Sequence, residues 1–306
     1  MTALQIYKHA FVNVAVATVW RSPGVVREID RPAIKFPADP AAWLESMSYD
    51  NKLDLLGRVD TQCLYGEKVL VKKIANLWAQ VEVLGQPGKN GKKAYPGWIP
   101  VRQLRANSEL EEAQEQLHVV VTDFKTFLYD DENGSKEFLE VSYNTQLPLK
   151  DDSATSYQVI TPEGYKWVKK EAAELLSRGH KPSGETLIQE GLRFLGLEYL
   201  WGGLSAWGFD CSGLAYTIHK RFGITIPRDA DDQYYSSTSI AKENLQAGDL
   251  VFFAHDKGSG AIHHVGFYMG DGRMLHAPQT GKTVETLDLW SHEVFPDEFV
   301  GGCRFF

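Results

Sequence analysis

The chain has 306 residues, 43% of them hydrophobic and 24% charged, and a formal net charge of −8. That length holds two or three domains with a core for each. The acidic balance argues against a generic nucleic-acid or anionic-membrane binder, and the sequence holds no transmembrane run. The three cysteines, Cys63, Cys211 and Cys303, are odd in number and widely spaced, so they form neither a disulfide framework nor a C-x-x-C zinc motif.

Residues 1–108 read as a small β domain with an insertion. Val12, Val14, Val16 and Thr18 alternate as in a strand, and Arg21–Gly24 is a turn. In residues 37–56, Trp43, Leu44, Met47 and Leu55 fall at helical spacing, with Asp39 and Asp50 as caps. Strands return at 62–64, 68–71 and 78–83. The loop over 85–93, with Gly85, Gly88 and Gly91, is expected to be exposed, and Tyr95–Pro100 closes the domain. Residues 109–172 read as a second, degenerate copy. A charged connector, Glu109–Gln116, leads to strands near 119–121, 126–129 and 138–141, with Asp131–Gly134 as a hairpin turn. The ending Trp78-Ala79-Gln80-Val81 with Gly97-Trp98-Ile99 is matched by Tyr157-Gln158-Val159 with Gly164 to Val168. These stretches resemble bacterial SH3-like domains, which implies two small β-barrels. Residues 173–184, punctuated by Ser177, Gly179, Pro182, Ser183 and Gly184, are expected to be a linker.

Residues 185–306 form a third domain. Leu187, Ile188, Gly191, Leu192 and Leu195 mark one helix face, ended by Gly196. The glycine-rich stretch Tyr199–Gly213 follows and delivers Cys211 to the start of a second helix, with Asp210 as its N-cap. Strand-like runs then come at Gly248–Phe253, His264–Met269, Arg273–Ala277, Thr283–Leu287 and Gly301–Phe306. Helices followed by antiparallel strands make an α+β domain.

A free cysteine is most often a buried structural residue. A helix N-terminus, however, favours thiolate over thiol, so Cys211 is also a candidate nucleophile. Its base must come from the nine histidines. A three-residue loop at Gly270–Gly272 sets His264 opposite Pro278 and leaves His276 diagonal to it on the same face, about 7–8 Å away. A two-residue loop separates the two rings onto opposite faces, but Gly272 suits the left-handed position of a three-residue loop with a G1 bulge, so the hairpin is expected to present the two imidazoles together. His263 points to the other face and is read as structural, and His255 and His292 lie in loops. A zinc site from Cys211, His264 and His276 needs a fourth ligand or a water, and its spacing matches no standard zinc motif.

Three blocks in order then carry a specific resemblance. Tyr199, Trp201, Gly202 and Gly203 with Asp210, Cys211, Ser212 and Gly213 are the first. His264 to Gly272 is the second, and His276 in Leu275-His276-Ala277 is the third. With Gly248–Phe253 and Pro227-Arg228, this region is similar to the NlpC-type (NlpC/P60) cell-wall cysteine peptidases. The resemblance implies a papain-like domain with Cys211 as nucleophile, His264 as base and His276 as orienting residue, and no cofactor or metal. Two SH3-like domains ahead of it resemble the arrangement in γ-D-glutamyl-L-diamino acid endopeptidases. The implied partner is a peptidoglycan peptide, L-Ala-γ-D-Glu-diamino acid, with a free N-terminal amine.

Such a substrate needs an acidic pocket for its ammonium. Asp229 is the first candidate, a helix cap being the other reading. Tyr95, from the first SH3-like domain, is a candidate wall and hydrogen-bond partner, and Glu67 a second negative group. Asp210 and Ser212 are candidates for substrate contact, and the Cys211 N–H for part of an oxyanion hole. Two rivals stand beside this reading: an amidase or acyltransferase on the same scaffold, and a wall-binding protein with a vestigial catalytic domain. No signal segment is visible, so a cytoplasmic site is expected, with export after signal removal as the alternative.

Overall fold

The computed structural model describes residues 4–88, 91–176 and 181–306. Two compact units divide the chain: the first takes the described residues among 1–85, 96–176 and 205–207, and the second the remainder. Lys89 and Asn90 of the predicted exposed loop, and Ser177 and Gly179 of the predicted linker, lie outside the described residues.

The first unit is built from two sheets. One contains β1 (His9–Val12), β2 (Val16–Trp20), β3 (Val59–Leu64), β4 (Lys68–Ala75), β5 (Trp78–Val83), β6 (Tyr95–Pro100) and β7 (Leu104–Arg105), in the order β3-β2-β6-β5-β4-β1-β7. The other contains β8 (His118–Val121), β9 (Lys125–Tyr129), β10 (Glu137–Ser142), β11 (Gln146–Asp152), β12 (Ser156–Thr161), β13 (Gly164–Lys169) and β14 (Ala173–Leu175), in the order β10-β9-β13-β12-β11-β8-β14. Lowering each label of the second sheet by seven reproduces the first. The weak repeat in the sequence is therefore a repeat of topology. Neither sheet closes into the expected barrel. The outer strands are β3 and β7 in one sheet and β10 and β14 in the other, and no pairing joins the two edges of either sheet among the described residues. The start of the predicted linker is also corrected, because Ala173–Leu175 pairs with Val119–Val121 as β14.

The helical insertion between β2 and β3 is present as α1 (Arg31–Ile34), α2 (Pro40–Ser46) and α3 (Tyr49–Leu53). Asp39 caps α2 by accepting from the Ala42 N–H at 3.0 Å. Ser48, not Asp50, caps α3. Trp43 fixes the insertion to the sheet: its ring lies 6.0 Å from that of Trp20, and its Nε1 donates to buried Asp30. The connector forms α4 (Ser108–Glu112), and its Leu110 and Ala113 bury against Phe11 of one sheet and Ile160 of the other.

The second unit runs through α5 (Gly184–Leu192), short strands β15 (Leu204–Ser205) and β16 (Gly208–Phe209), α6 (Cys211–Arg221) and α7 (Ala230–Tyr235). It then continues through β17 (Leu250–Ala254), α8 (His255–Gly258), β18 (Ile262–Gly270), β19 (Arg273–His276), β20 (Glu285–Asp288), α9 (Phe295–Glu298) and β21 (Phe299–Cys303). Its sheet has the order β20-β19-β18-β17-β21 and is antiparallel throughout, with α5, α6 and α7 packed on β18. α5 stops at Leu192, before Gly196, and Leu195 is exposed rather than buried. The segment around Gln86 joins this unit rather than the solvent: Gln86 is fully buried, and the Arg228 N–H donates to Pro87 O at 3.1 Å. Gly91, Lys92 and Lys93 are exposed, as the composition of that loop implies.

Candidate active site

Asp210 organises the nucleophile's surroundings. It is the N-cap of α6, and its Oδ1 accepts from the Gly213 N–H at 2.6 Å. Its Oδ2 accepts from the Gly202 N–H at 2.9 Å. Buried Arg228 forks onto both oxygens at 3.1 and 2.7 Å and also reaches Ser212 Oγ at 2.8 Å. This fork is the strong form of an ion pair, and it ties the glycine-rich loop to the first turn of α6. Gly213 lets the two approach, since a Cβ there would lie 2.1 Å from Gly203 O. Asp210 and Ser212 are thus engaged inside the protein. A carboxylate already holding four polar partners has little capacity left for a ligand.

Cys211 opens α6. Its thiol is pushed up to about 12, first by burial and then by the Asp210 charge, against the pull of the Val265 and Ser212 N–H groups and of Arg228. The expected lowering by the helix N-terminus is outweighed. The carboxylate that caps the helix offsets the helix's partial positive charge, and burial disfavours the thiolate. The backbone contact with Val265 sets Cys211 against β18, one residue from His264.

The histidine pair depends on register. Phe267 faces Leu275 and Tyr268 faces Met274, but Gly270 faces Arg273. The turn therefore has two residues, Asp271 and Gly272, with φ of 49° and 75°, as a type I′ hairpin requires. Taken alone, it would have put the two rings on opposite faces. A bulge between Tyr268 and Gly270 adds the missing residue and restores the register. His264 Nε2 and His276 Nδ1 then meet at 2.8 Å. Gly266 makes room for them: a Cβ there would lie 3.1 Å from that of His276.

Burial, together with the neighbouring His276, His263 and His292, holds His264 well below the ordinary histidine range. Burial and then His292 lower His276 to about 4. Both rings are therefore neutral at pH 7. With Nε2 of His264 engaged by His276, its Nδ1 is the nitrogen left to accept a proton. Phe295 covers the base, stacking on it at 5.4 Å with 7° between the rings. The resting site is thus a thiol and an imidazole, and charge develops during reaction.

Three further residues escaped the sequence reading in these roles. Tyr199, the first residue of the glycine-rich block, is held well above its ordinary value by burial and then by the neighbouring Cys211 and Asp210 charges. It is a neutral O–H donor beside the nucleophile. Arg228 was visible only as part of a motif. Glu285 is the cross-strand partner of His276, with Oε1 3.7 Å from His276 Nε2, and no motif marks it. This carboxylate favours a proton on His276 Nε2, which makes His276 Nδ1 an acceptor for His264. We expect E285Q to lower kcat about threefold to tenfold, the size of a half-exposed charge contact, with KM unchanged. Removing a negative charge disfavours imidazolium, so the acid limb of kcat/KM should move to lower pH. A pH–rate profile checks this, and an unmoved profile would assign Glu285 to the surface alone.

At the acidic end, Tyr95 Oη donates to Asp229 Oδ2 at 2.9 Å. Asp229 precedes α7 at its N-cap position but makes no side-chain cap. Carboxylate oxygens of Asp231 and Asp232 lie within 4.8 Å of that of Asp229, so negative charge is concentrated there. Tyr95 is the first residue of β6 and also the last residue of the 86–95 segment that belongs to the second unit. Glu67 belongs to the first unit, where its Oε2 accepts from the Leu64 N–H at 3.1 Å.

Comparison with known proteins gives two family matches. The NlpC/P60 family matches residues 196–303, and the YKFC SH3b2 domain matches 121–175. A gamma-D-glutamyl-L-lysine dipeptidyl-peptidase of Bacillus cereus is 41% identical over 97% of this chain and 90% of its own length.

The chain belongs to the NlpC/P60 family.

The Bacillus subtilis protein of the same name is 42% identical over 90% of this chain and 92% of its own. The crystal structure of an NlpC/P60 family protein from Bacillus cereus superposes with a TM-score of 0.92 at 40% identity, covering 97% of this chain and 99% of that one. Family membership accounts for the order of the three sequence blocks. The SH3b match falls on the second sheet of the first unit, β8 to β14, leaving only most of β8 outside it.

Proposed function

We propose that this member of the NlpC/P60 family is a cysteine peptidase that hydrolyses the γ-D-glutamyl–L-diamino acid bond of peptidoglycan-derived peptides and releases L-Ala-γ-D-Glu. The observation that carries the reading is a half-buried Cys211 at the start of α6 with the buried His264–His276 pair, together with an acidic group at Asp229 that Tyr95 holds. It is supported by two relatives of that printed activity that match nearly end to end. In the reaction, Cys211 Sγ attacks the γ-glutamyl carbonyl as His264 Nδ1 takes the thiol proton. His276 and Glu285 steady the imidazolium. The tetrahedral oxyanion is met by the Tyr199 hydroxyl and the Cys211 N–H. His264 then protonates the departing amine, and a water activated by the same ring breaks the thioester.

Asp229, braced by Tyr95, pairs the ammonium of an N-terminal L-Ala. A peptide with that amine acetylated, or still attached to a glycan strand, then loses its anchor. We expect D229N to reduce kcat/KM on the free-amine peptide about tenfold to a hundredfold, the scale of a lost charge-assisted hydrogen bond, and to leave the already poor acetylated peptide nearly unaffected. Mass spectrometry of products from the two peptides tests both claims. Equal rates on the two by the unaltered enzyme would overturn the amine pocket, and cleavage at another bond would overturn the activity.

The first sheet, β1 to β7, is read here as a second SH3-like domain on the strength of its shared strand order. We place the enzyme in the cytoplasm, where a nucleophilic thiol stays reduced and small imported muropeptides are at hand. Cell fractionation with detection of the protein tests that placement.

A further inference from the structure

Beside the His264 ring, 6.3 Å from it at His263 rather than on the opposite face expected for His263, lies a second group of metal-ligating side chains. His255 begins α8, His263 lies on β18, and Glu298 ends α9. One ligand atom from each falls within 4.8 Å of the other two. His263 Nε2 is 2.9 Å from Glu298 Oε2, and the His255 ring stacks on that of His263 at 4.0 Å with 14° between planes. The fold assembles this trio by a bulge: Phe253 pairs with His264 while Ala254 pairs with Ile262, so His263 is the extra residue. The α8 turn is held by two non-glycine residues in the left-handed region, Asp256 and Lys257, at φ of 54° and 55°. Such strain persists only where the surroundings enforce it.

We propose that His255, His263 and Glu298 bind one divalent cation of the zinc class, with water completing the shell. Two imidazoles and one carboxylate suit zinc, nickel or copper and not magnesium or calcium. Ligand atoms around a tetrahedral zinc lie about 3.3 Å apart, from bonds of about 2.0–2.1 Å. To close the difference the exposed His255 ring must turn out of its stack on His263, so that both ring nitrogens aim at one point. The cation would replace the His263–Glu298 ion pair and draw α8, β18 and α9 together. That matters for the catalytic site because α9 also carries Phe295, which stacks on His264, and β18 carries His264 itself. The bound metal would hold the aromatic cover over the catalytic base.

The test uses the full chain with C211A, so that the reactive thiol does not bind metal. Zn2+ is titrated by calorimetry, and Co2+ by visible absorption. The expected result is one equivalent bound, a Co2+ spectrum with tetrahedral bands, and a rise in Tm of several degrees at saturating Zn2+. H255N and E298Q, each on an exposed or half-exposed side chain, should weaken Zn2+ binding at least tenfold without changing Tm in the absence of metal. No binding at 100 µM Zn2+, or an affinity unchanged in both variants, would overturn the site.

Discussion

Replacing Cys211 with alanine should lower kcat on a γ-D-glutamyl-diamino acid peptide by about 10^4-fold or more, to the level of uncatalysed hydrolysis plus binding. Peptide affinity should stay within a few-fold, because the proposed anchor for the substrate amine is the Asp229 carboxylate and not the thiol. C211S should be nearly as inactive, since a serine hydroxyl needs a stronger base than a His264 held well below the ordinary range. H276A should cost less than C211A, because His276 acts on the substrate only through His264. Stopped-time assays with product identification measure each of these. Retained hydrolysis in C211A would assign the reaction to another group. The thiol's resting position near 12 adds a further expectation: alkylation by iodoacetamide should be slow in the free enzyme.

Substituting Arg228 with methionine should have the largest effect on stability, about 3–5 kcal/mol, because it strands the Asp210 carboxylate in the interior. For a unit of this size that lowers Tm by about 10 °C. The pair is fully desolvated on the arginine side, 1% exposed, and holds three segments: Gly202 of the loop, Gly213 of α6 and the strand-like approach to α7. The double variant D210N/R228M should recover part of the loss, since neither charge is then unpaired. It should not recover activity, because Cys211 loses its fixed place at the helix start. Thermal denaturation and peptide assays of the three proteins separate the two effects. A loss below 1 kcal/mol in R228M would mean that water reaches Asp210 and that the ion pair does not hold the loop.

Much of this site is legible in the chain because its signals are local. A glycine-rich loop, an acidic N-cap and a cysteine at a helix start occupy consecutive positions, and their chemistry depends on little beyond backbone geometry. The duplicated sheets are legible for a related reason, since strand alternation and turn residues recur within each copy. What failed were statements that depend on distant groups. The thiol was expected to be acidic from the helix end alone, but burial and the Asp210 charge decide otherwise. The Asp210 cap was visible in the chain, but its ion pair with Arg228, 18 positions away, was not. Each sheet was likewise expected to close into a barrel, but no pairing joins its two outer strands among the described residues.

The histidine pair shows the division most clearly. Residue order alone determined that His264 and His276 flank a glycine turn. Whether their rings meet or face apart rested on one residue of register, and the two-residue turn that formed favours the wrong answer. The bulge beside Gly270 reversed it. Only the assembled sheet selects that bulge, because burying Val265, Phe267 and Leu275 on one face and Met274 with Val251, Phe253 and Leu289 on the other outweighs the ladder bond lost at the bulge. By itself the sequence determined which chemical groups are present and their local backbone settings. The tertiary structure decided which of those groups are desolvated, which are paired and which His264 nitrogen is left to accept a proton, because each depends on what lies across the core rather than along the chain.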